Sequence, residues 1–390
     1  MVSNLDIINA LRAIDLGSFD NYAHRNWRNG AYEDWVAYLS GEQSYDDYLT
    51  NTADLSDYYR LLDAYGVTTD AVDWTEDGGT SFFDRDFLGP LAGFYYRYGD
   101  QADAAAYIDI LARFAETEHL TADRVYGPGA GAYDTLAVSS TMEATFFALK
   151  IIANRLGEPD GELSNDAWIN GAIAANTAPL SAETIAFIPE GQLADIAAVL
   201  ATHYVEPVLD AYIDNPMTPN QRLHGITSAK KLATAFEGVP EFDALSTKID
   251  EGLVSLLDEI VQLDGGYTEP SFNYNALMTL WLKSLIALDP DADWVARVEQ
   301  TYQESEIFME ALLSPFGTLP QVGNNIWETS GDDSIDRDFE TSVALPYSGF
   351  YVQRSDASEE ADYLFFYGAR ELITHCGQLY GVAARRGMAD

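Results

Sequence analysis

From residue 102 onward, apolar side chains recur every three or four positions, the period of a helix with one buried face. Residues 102–117 place Ala105, Ile108, Leu111, Ala112 and Phe114 on or near one face, and residues 141–156 do the same with Met142, Thr145, Phe146, Leu149, Ile152 and Leu156. Comparable runs span 193–213, 221–236, 244–262, 274–288 and 292–313. Conventional stops and starts separate them: Gly157 with Pro159, Ser181 with Glu183, Pro240 ahead of Phe242, and Pro290 with Asp291. Successive helices with short connections pack as hairpins in series, so the expected architecture is an all-α array or toroid.

The period changes after about residue 335. Residues 343–354 and 362–368 are rich in aromatic and β-branched side chains, with a polar turn from Ser355 to Ala361 between them. The expected fold is therefore mainly α: an incomplete (α/α) toroid of helical hairpins over residues 1–335, then a short C-terminal antiparallel β segment over 336–390, the start of a β-sandwich. So few strands cannot close a sandwich. They must lie on the helices, pair with another chain, or begin a domain that is cut short, which makes a homo-oligomer through the C-terminal strands one expectation.

Charge narrows the partners. The 390 residues carry 63 Asp and Glu against 21 Lys and Arg, a net charge of −42. A nucleic-acid binder needs the opposite surplus to release phosphate counterions. Hydrophobic residues at 47% and aromatics at 13% exclude a disordered acidic chain. Of the basic residues only five are lysine: Lys150, Lys230, Lys231, Lys248 and Lys283. Abundant carboxylates with scarce lysine are the composition of a protein adapted to molar salt, where a Debye length of ~3 Å removes most self-repulsion. A higher unfolding temperature in molar than in dilute salt is expected; equal values by calorimetry would remove this reading. Cys376 is the single cysteine, which excludes an internal disulfide and a cysteine-cluster metal site. The N-terminus has no basic segment followed by a long apolar run, and no stretch approaches ~20 apolar residues. The expectation is a soluble protein of a halophile's high-salt cytoplasm, without a membrane partner.

Several motifs reduce to plain structure. Gly127-Pro-Gly-Ala-Gly131 lacks the G-x-G-x-x-G spacing and reads as a loop. Asp289-Pro-Asp-Ala-Asp293 imitates a calcium loop but has Trp294 at the required glycine and Gln300 at the bidentate glutamate, so it reads as a helix start. His375-Cys376 are neighbours on an expected strand and point to opposite faces, which disfavours a thiol–imidazole pair. The five histidines, His24, His119, His203, His224 and His375, show no zinc spacing, and neither a metal nor another cofactor is expected.

Residues 218–275 carry more. Thr218 to Phe236 form a helix headed by amides beside an arginine and a histidine, and Asp264 to Asn275 form a Gly/Pro-rich loop leading into an apolar helix. Amides and tyrosines at two helix mouths suit a cleft for a sugar acid, and ordinary helix caps account for the same composition. Three stretches, in order, resemble the heparinase II/III-like polysaccharide lyases, the group of heparinase III and alginate lyases. The first is Asn220-Gln221-Arg222-Leu223-His224 followed by Phe236 and Pro240-Glu241-Phe242. The second is Leu263-Asp-Gly-Gly-Tyr267-Thr-Glu269-Pro-Ser-Phe-Asn-Tyr274-Asn275, and the third is Leu313-Ser-Pro-Phe-Gly317-Thr-Leu-Pro320-Gln-Val-Gly323, with His375-Cys-Gly-Gln-Leu379 beyond. The resemblance covers roughly residues 215–390. In the last run Ile373, Gly377 and Tyr380 stand where the family pattern has a histidine, an aspartate and a serine.

The resemblance implies β-elimination at a 4-linked uronic acid of an anionic polysaccharide or oligosaccharide. Asn220 and Gln221 match the positions that neutralise the uronate carboxylate, and Tyr274 matches the acid that protonates the leaving oxygen. His375, ahead of His224, is the candidate base. Arg222, His224, Tyr267, Glu269 and Asn275 are candidate substrate-binding residues; a helix cap is the plain reading of Glu269. Two alternatives accompany the lyase. Ile373, Gly377 and the early chain end favour a catalytically impaired carbohydrate-binding or structural relative, and α/α barrels also host glycoside hydrolases, which need two carboxylates ~5–10 Å apart.

Overall fold

The structure is a computed structural model that describes residues 2–16, 101–116, 132–159, 174–214, 219–269, 271–314, 342–356, 361–368 and 381–384, with single positions between them. The described helices are α1 Asn4–Ala13, α2 Gln101–Glu116, α3 Ala132–Arg155, α4 Gln192–Leu200, α5 Glu206–Asp214, α6 Pro219–Ala235, α7 Pro240–Ile260, α8 Phe272–Leu288 and α9 Val295–Leu312. Strands β1 Ser342–Leu345, β2 Phe350–Arg354, β3 Tyr363–Tyr367 and β4 Gly381–Ala384 follow. Mainly helical, with a short C-terminal antiparallel sheet, this is the class read from the hydrophobic periods.

From α2 onward each helix overlaps a run that the period predicts, while α1 lies outside those runs and α3 begins at Ala132 rather than at 141; local chemistry sets the ends. Ser3 closes a capping box with Asp6 at the start of α1, and Pro240 opens α7 at the position where a missing N–H is harmless. The segment expected as one helix over 193–213 carries a π-helical turn, Ala201–Val205, between α4 and α5. Asp289 to Asp293 lie directly ahead of α9, where the helix-start reading puts them. The strand expected over 343–354 is instead two. Pro346 cannot donate to a ladder, and Gly349 turns with φ +77°, so the chain reverses between β1 and β2.

The chain divides into two compact units. The first comprises Met1–Met217, Gln221–Leu253 and Ala287–Pro290. In it α1 packs on α3 and α4, α2 packs on α4, and α3 packs on α5. Its interior holds cations as well as hydrocarbon. Arg12 donates to the Ala153 and Leu156 carbonyls at the end of α3 and to the Asn176 and Ala178 carbonyls beyond it. These are the acceptors that a helix leaves unpaired at its C-terminus. Lys150, fully buried, donates to the carbonyls of Arg12 and Ala174 and to Asn154 Oδ1. Burial pushes its ammonium down to about 7, with Asp15 opposing and Arg12 reinforcing the shift.

The second unit comprises Thr218–Asn220, Val254–Ile286 and Asp291–Asp390. Its sheet runs in the order β1-β2-β3-β4, all antiparallel. Phe350, Val352, Tyr363 and Phe365 point to one face and form a core with Phe272, Phe308, Leu312 and Leu313. Alternation sends Tyr351 and Phe366, a directly opposed pair, to the other face, where both are exposed. Arg354 of β2 donates to the Ala311 and Leu313 carbonyls and the Tyr363 hydroxyl donates to Leu312, so the end of α9 is capped by the sheet.

The Asp264-Gly-Gly-Tyr267 loop is built into this unit. Asp264 Oδ2 accepts from the backbone N–H groups of Tyr347 at 2.9 Å and Ser348 at 2.8 Å, and Oδ1 accepts from the Ser348 hydroxyl. Gly265 has φ +81°, and a Cβ there would lie inside the contact shell of the Glu304 carbonyl oxygen. Gly265→Ala is expected to cost about 2–4 kcal/mol, the sum of left-handed strain and a backbone clash. Gly238→Ala, at φ +85° but with Val2 no nearer than 3.8 Å, isolates the strain and is expected to cost about 1 kcal/mol. Equal denaturant midpoints for the two variants would remove the clash argument.

Candidate active site

The amide-headed helix expected from Thr218 begins at Pro219, and Asn220 and Gln221 occupy its first turn. Both side chains are buried, at 9% and 6% exposure. Asn220 Oδ1 meets no hydrogen-bond donor among the described residues. Such an orphaned buried acceptor is uncommon in a folded chain and marks a position where a ligand can complete the pairing. Arg222 is half-buried one residue further on.

His224 is buried, and its partner is one that the sequence did not suggest. His224 Nε2 lies 3.0 Å from Oε2 of Glu143, on α3. The other carboxylate oxygen, Oε1, accepts from the ammonium of Lys231, which also lies 5.5 Å from the Phe147 ring. His224 and Lys231 are seven residues apart, two turns of α6, and so share a face. Burial alone pushes the Glu143 carboxyl up. Lys231 and His224 outweigh it and hold the group below the usual carboxylate range. For Lys231 burial lowers the ammonium, with Glu143 opposing. Glu143 is the one acidic side chain buried among the described residues, against six buried cations: Arg12, Lys150, Arg155, Lys230, Lys231 and Arg354. A signal existed in the sequence, since Glu143 interrupts the apolar face of Met142, Thr145, Phe146 and Leu149.

In the second unit, Tyr274 is half-buried in the first turn of α8. Asn275 is buried at 1% exposure, and its amide bridges the loop to the helix. Oδ1 accepts from the Tyr267 backbone N–H at 3.2 Å, while Nδ2 donates to the Ser271 carbonyl at 3.1 Å. Tyr267 is itself buried and pairs with Val261 in an isolated bridge that closes the loop. Glu269 is half-buried ahead of α8. Asn275 and Tyr267 thus fix the loop that precedes Tyr274. His375, Ile373, Gly377 and the loop 127–131 lie outside the described residues. Among the described residues no group of three His, Cys, Asp or Glu side chains is arranged to hold a metal ion, and no helix is long and apolar enough to cross a membrane.

No protein-family profile matches the sequence, and no curated protein is similar to it. Solved structures are. A heparinase III superposes on this chain with a TM-score of 0.52 at 12% identity, covering 92% of this chain and 63% of its own. The heparan sulfate lyase HepC of Pedobacter heparinus gives 0.51 at 13%, covering 90% of this chain and 61% of its own. At such identity the likeness establishes the fold alone: the helical toroid class with appended antiparallel strands. The chain spans less than two thirds of the length of these structures.

Proposed function

We propose that the chain is a polysaccharide lyase that cleaves 4-linked uronic-acid glycans of the heparan sulfate or alginate kind by β-elimination. The observation that carries this reading is the fold shared with a heparinase III and a heparan sulfate lyase over nine tenths of the chain. It is supported by the orphaned Asn220 Oδ1 at the head of α6, an acceptor that a sugar hydroxyl can pair.

The chemistry divides among named groups. Hydrogen bonds from Asn220 and Gln221 to the uronate carboxylate strengthen as charge moves onto it when the C5 proton leaves, so they stabilise the transition state more than the ground state. A histidine base, His375 or His224, takes the C5 proton. The freed electron pair forms the C4–C5 double bond, the C4–O bond breaks, and Tyr274 gives its proton to the leaving oxygen. Arg222 adds positive charge beside these amides, which matters in a chain of net charge −42. The domain division at residue 335 and association through the C-terminal strands belong to the same proposal, the latter favoured by the exposed Tyr351 and Phe366.

The test is incubation in molar salt with heparan sulfate, alginate and other uronate glycans, followed by ultraviolet detection of the unsaturated product. A rising absorbance with one substrate is expected. Saccharide release without absorbance would identify a hydrolase instead. Binding without turnover would identify the glycan-binding relative, a reading favoured by Ile373 and Gly377 at positions where the family pattern has a histidine and an aspartate.

A further inference from the structure

The lyase reading uses His224 only as a possible base and gives Glu143 and Lys231 no part, yet these three side chains form the most deeply buried ionic cluster among the described residues of the first unit. We propose that Glu143 is a positioning residue for His224: it holds a proton on Nε2 and so leaves the lone pair of the neutral ring on Nδ1. The proposal deepens the lyase reading and rests on it for the chemistry that His224 serves.

The argument is one of donors and acceptors. An ionised carboxylate only accepts, so the ring nitrogen 3.0 Å from Glu143 Oε2 must carry hydrogen. In an imidazole the hydrogen bond made by one nitrogen dictates the state of the other. With Nε2 protonated, the neutral ring has its lone pair on Nδ1. The arrangement would reverse if Glu143 were protonated, because a carboxylic acid can donate to a bare Nε2, and burial by itself pushes the group that way. Lys231 removes this option. Its ammonium engages Oε1 from two helical turns further along α6, lies over Phe147 one turn after Glu143, and keeps the carboxylate ionised in a nearly dry environment. The division of labour is therefore specific: Lys231 fixes the charge of Glu143, and Glu143 fixes the tautomer and the ring orientation of His224. The same carboxylate-to-imidazole logic orients the base in hydrolase triads.

The test has a readout that does not depend on turnover. In the full chain labelled with 15N-histidine, the His224 signals, assigned with His224→Gln, should show the Nε2–H tautomer once the ring is neutral. In Glu143→Gln the amide can donate to Nε2, and the Nδ1–H tautomer should appear. On the substrate identified for the wild type, kcat should fall at least about tenfold with KM within about twofold, since a positioning group acts on the reacting geometry rather than on binding. Glu143→Asp should retain the tautomer and recover part of kcat. Glu143→Gln/Lys231→Met removes the stranded ammonium and should restore folding without restoring the tautomer, which separates positioning from stability. An Nδ1–H tautomer in the wild type overturns the proposal, as does Glu143→Gln with tautomer and kcat unchanged. Absence of turnover by the wild type on every uronate glycan removes the lyase reading, and the tautomer measurement then decides the role of Glu143 by itself.

Discussion

Replacing Tyr274 with phenylalanine is expected to lower kcat by about 10²–10⁴-fold on whichever uronate glycan the wild type cleaves, the range for loss of a positioned proton donor. The leaving sugar oxygen is a poor leaving group as an alkoxide, so the acid matters most at the step where the C4–O bond breaks. KM should change little, because the phenyl ring keeps the contacts of the half-buried side chain in the first turn of α8. Folding should survive, since loss of one hydroxyl typically costs about 0.5–1.5 kcal/mol. The measurement is the initial rate of product absorbance in molar salt, with circular dichroism as the control. A variant within twofold of the wild-type rate would remove Tyr274 from the mechanism.

The second large effect is on stability. Glu143→Gln strands the Lys231 ammonium in the interior with its counter-charge gone, and removal of one partner of a buried ion pair typically costs about 3–5 kcal/mol. In the wild type the folded-state carboxyl titrates below its ordinary range. Its contribution is thus fully present above that range and is lost as the pH falls toward the folded value. The variant adds a dependence of the same sign in alkaline solution. A buried lysine without its partner titrates below its unfolded value, so the folded state binds fewer protons and stability rises with pH in alkaline solution as the ammonium is shed. Glu143→Gln/Lys231→Met replaces the pair by uncharged groups of similar length and should recover most of the loss. Urea unfolding of the wild type and both variants in molar salt, at neutral and alkaline pH, checks all three statements. A Glu143→Gln cost below about 1 kcal/mol would show that the pair contributes little.

Much of the fold was legible because it rests on local signals. The period of Met142, Phe146, Leu149 and Ile152 marks α3, and Pro240 and Pro290 mark helix boundaries whatever the helices pack against. The missed hairpin between β1 and β2 was also written locally, in Pro346 and Gly349, but the aromatic run on both sides outweighed it. The Asp264-Gly-Gly-Tyr267 motif was legible as a motif and not as a function. Its aspartate holds the turn at Tyr347 and Ser348, a contact across more than eighty residues that no spacing rule reports.

The candidate site divides in the same way. The chain order of Asn220, Gln221, Tyr274 and Asn275 was available from the sequence, and so was the conflict between a net charge of −42 and the anionic substrate proposed for it. By itself the sequence determined the helical class and the short C-terminal strands, because hydrophobic period is a property of neighbouring residues. Tertiary structure alone decided which charges leave the surface. Among the described residues it buries six basic side chains and one glutamate, sets Asn275 Oδ1 on the Tyr267 backbone N–H, and joins His224 to Glu143 and Lys231. Those outcomes depend on the distance and burial of groups far apart in the chain, and electrostatic energy is governed by these two quantities rather than by composition.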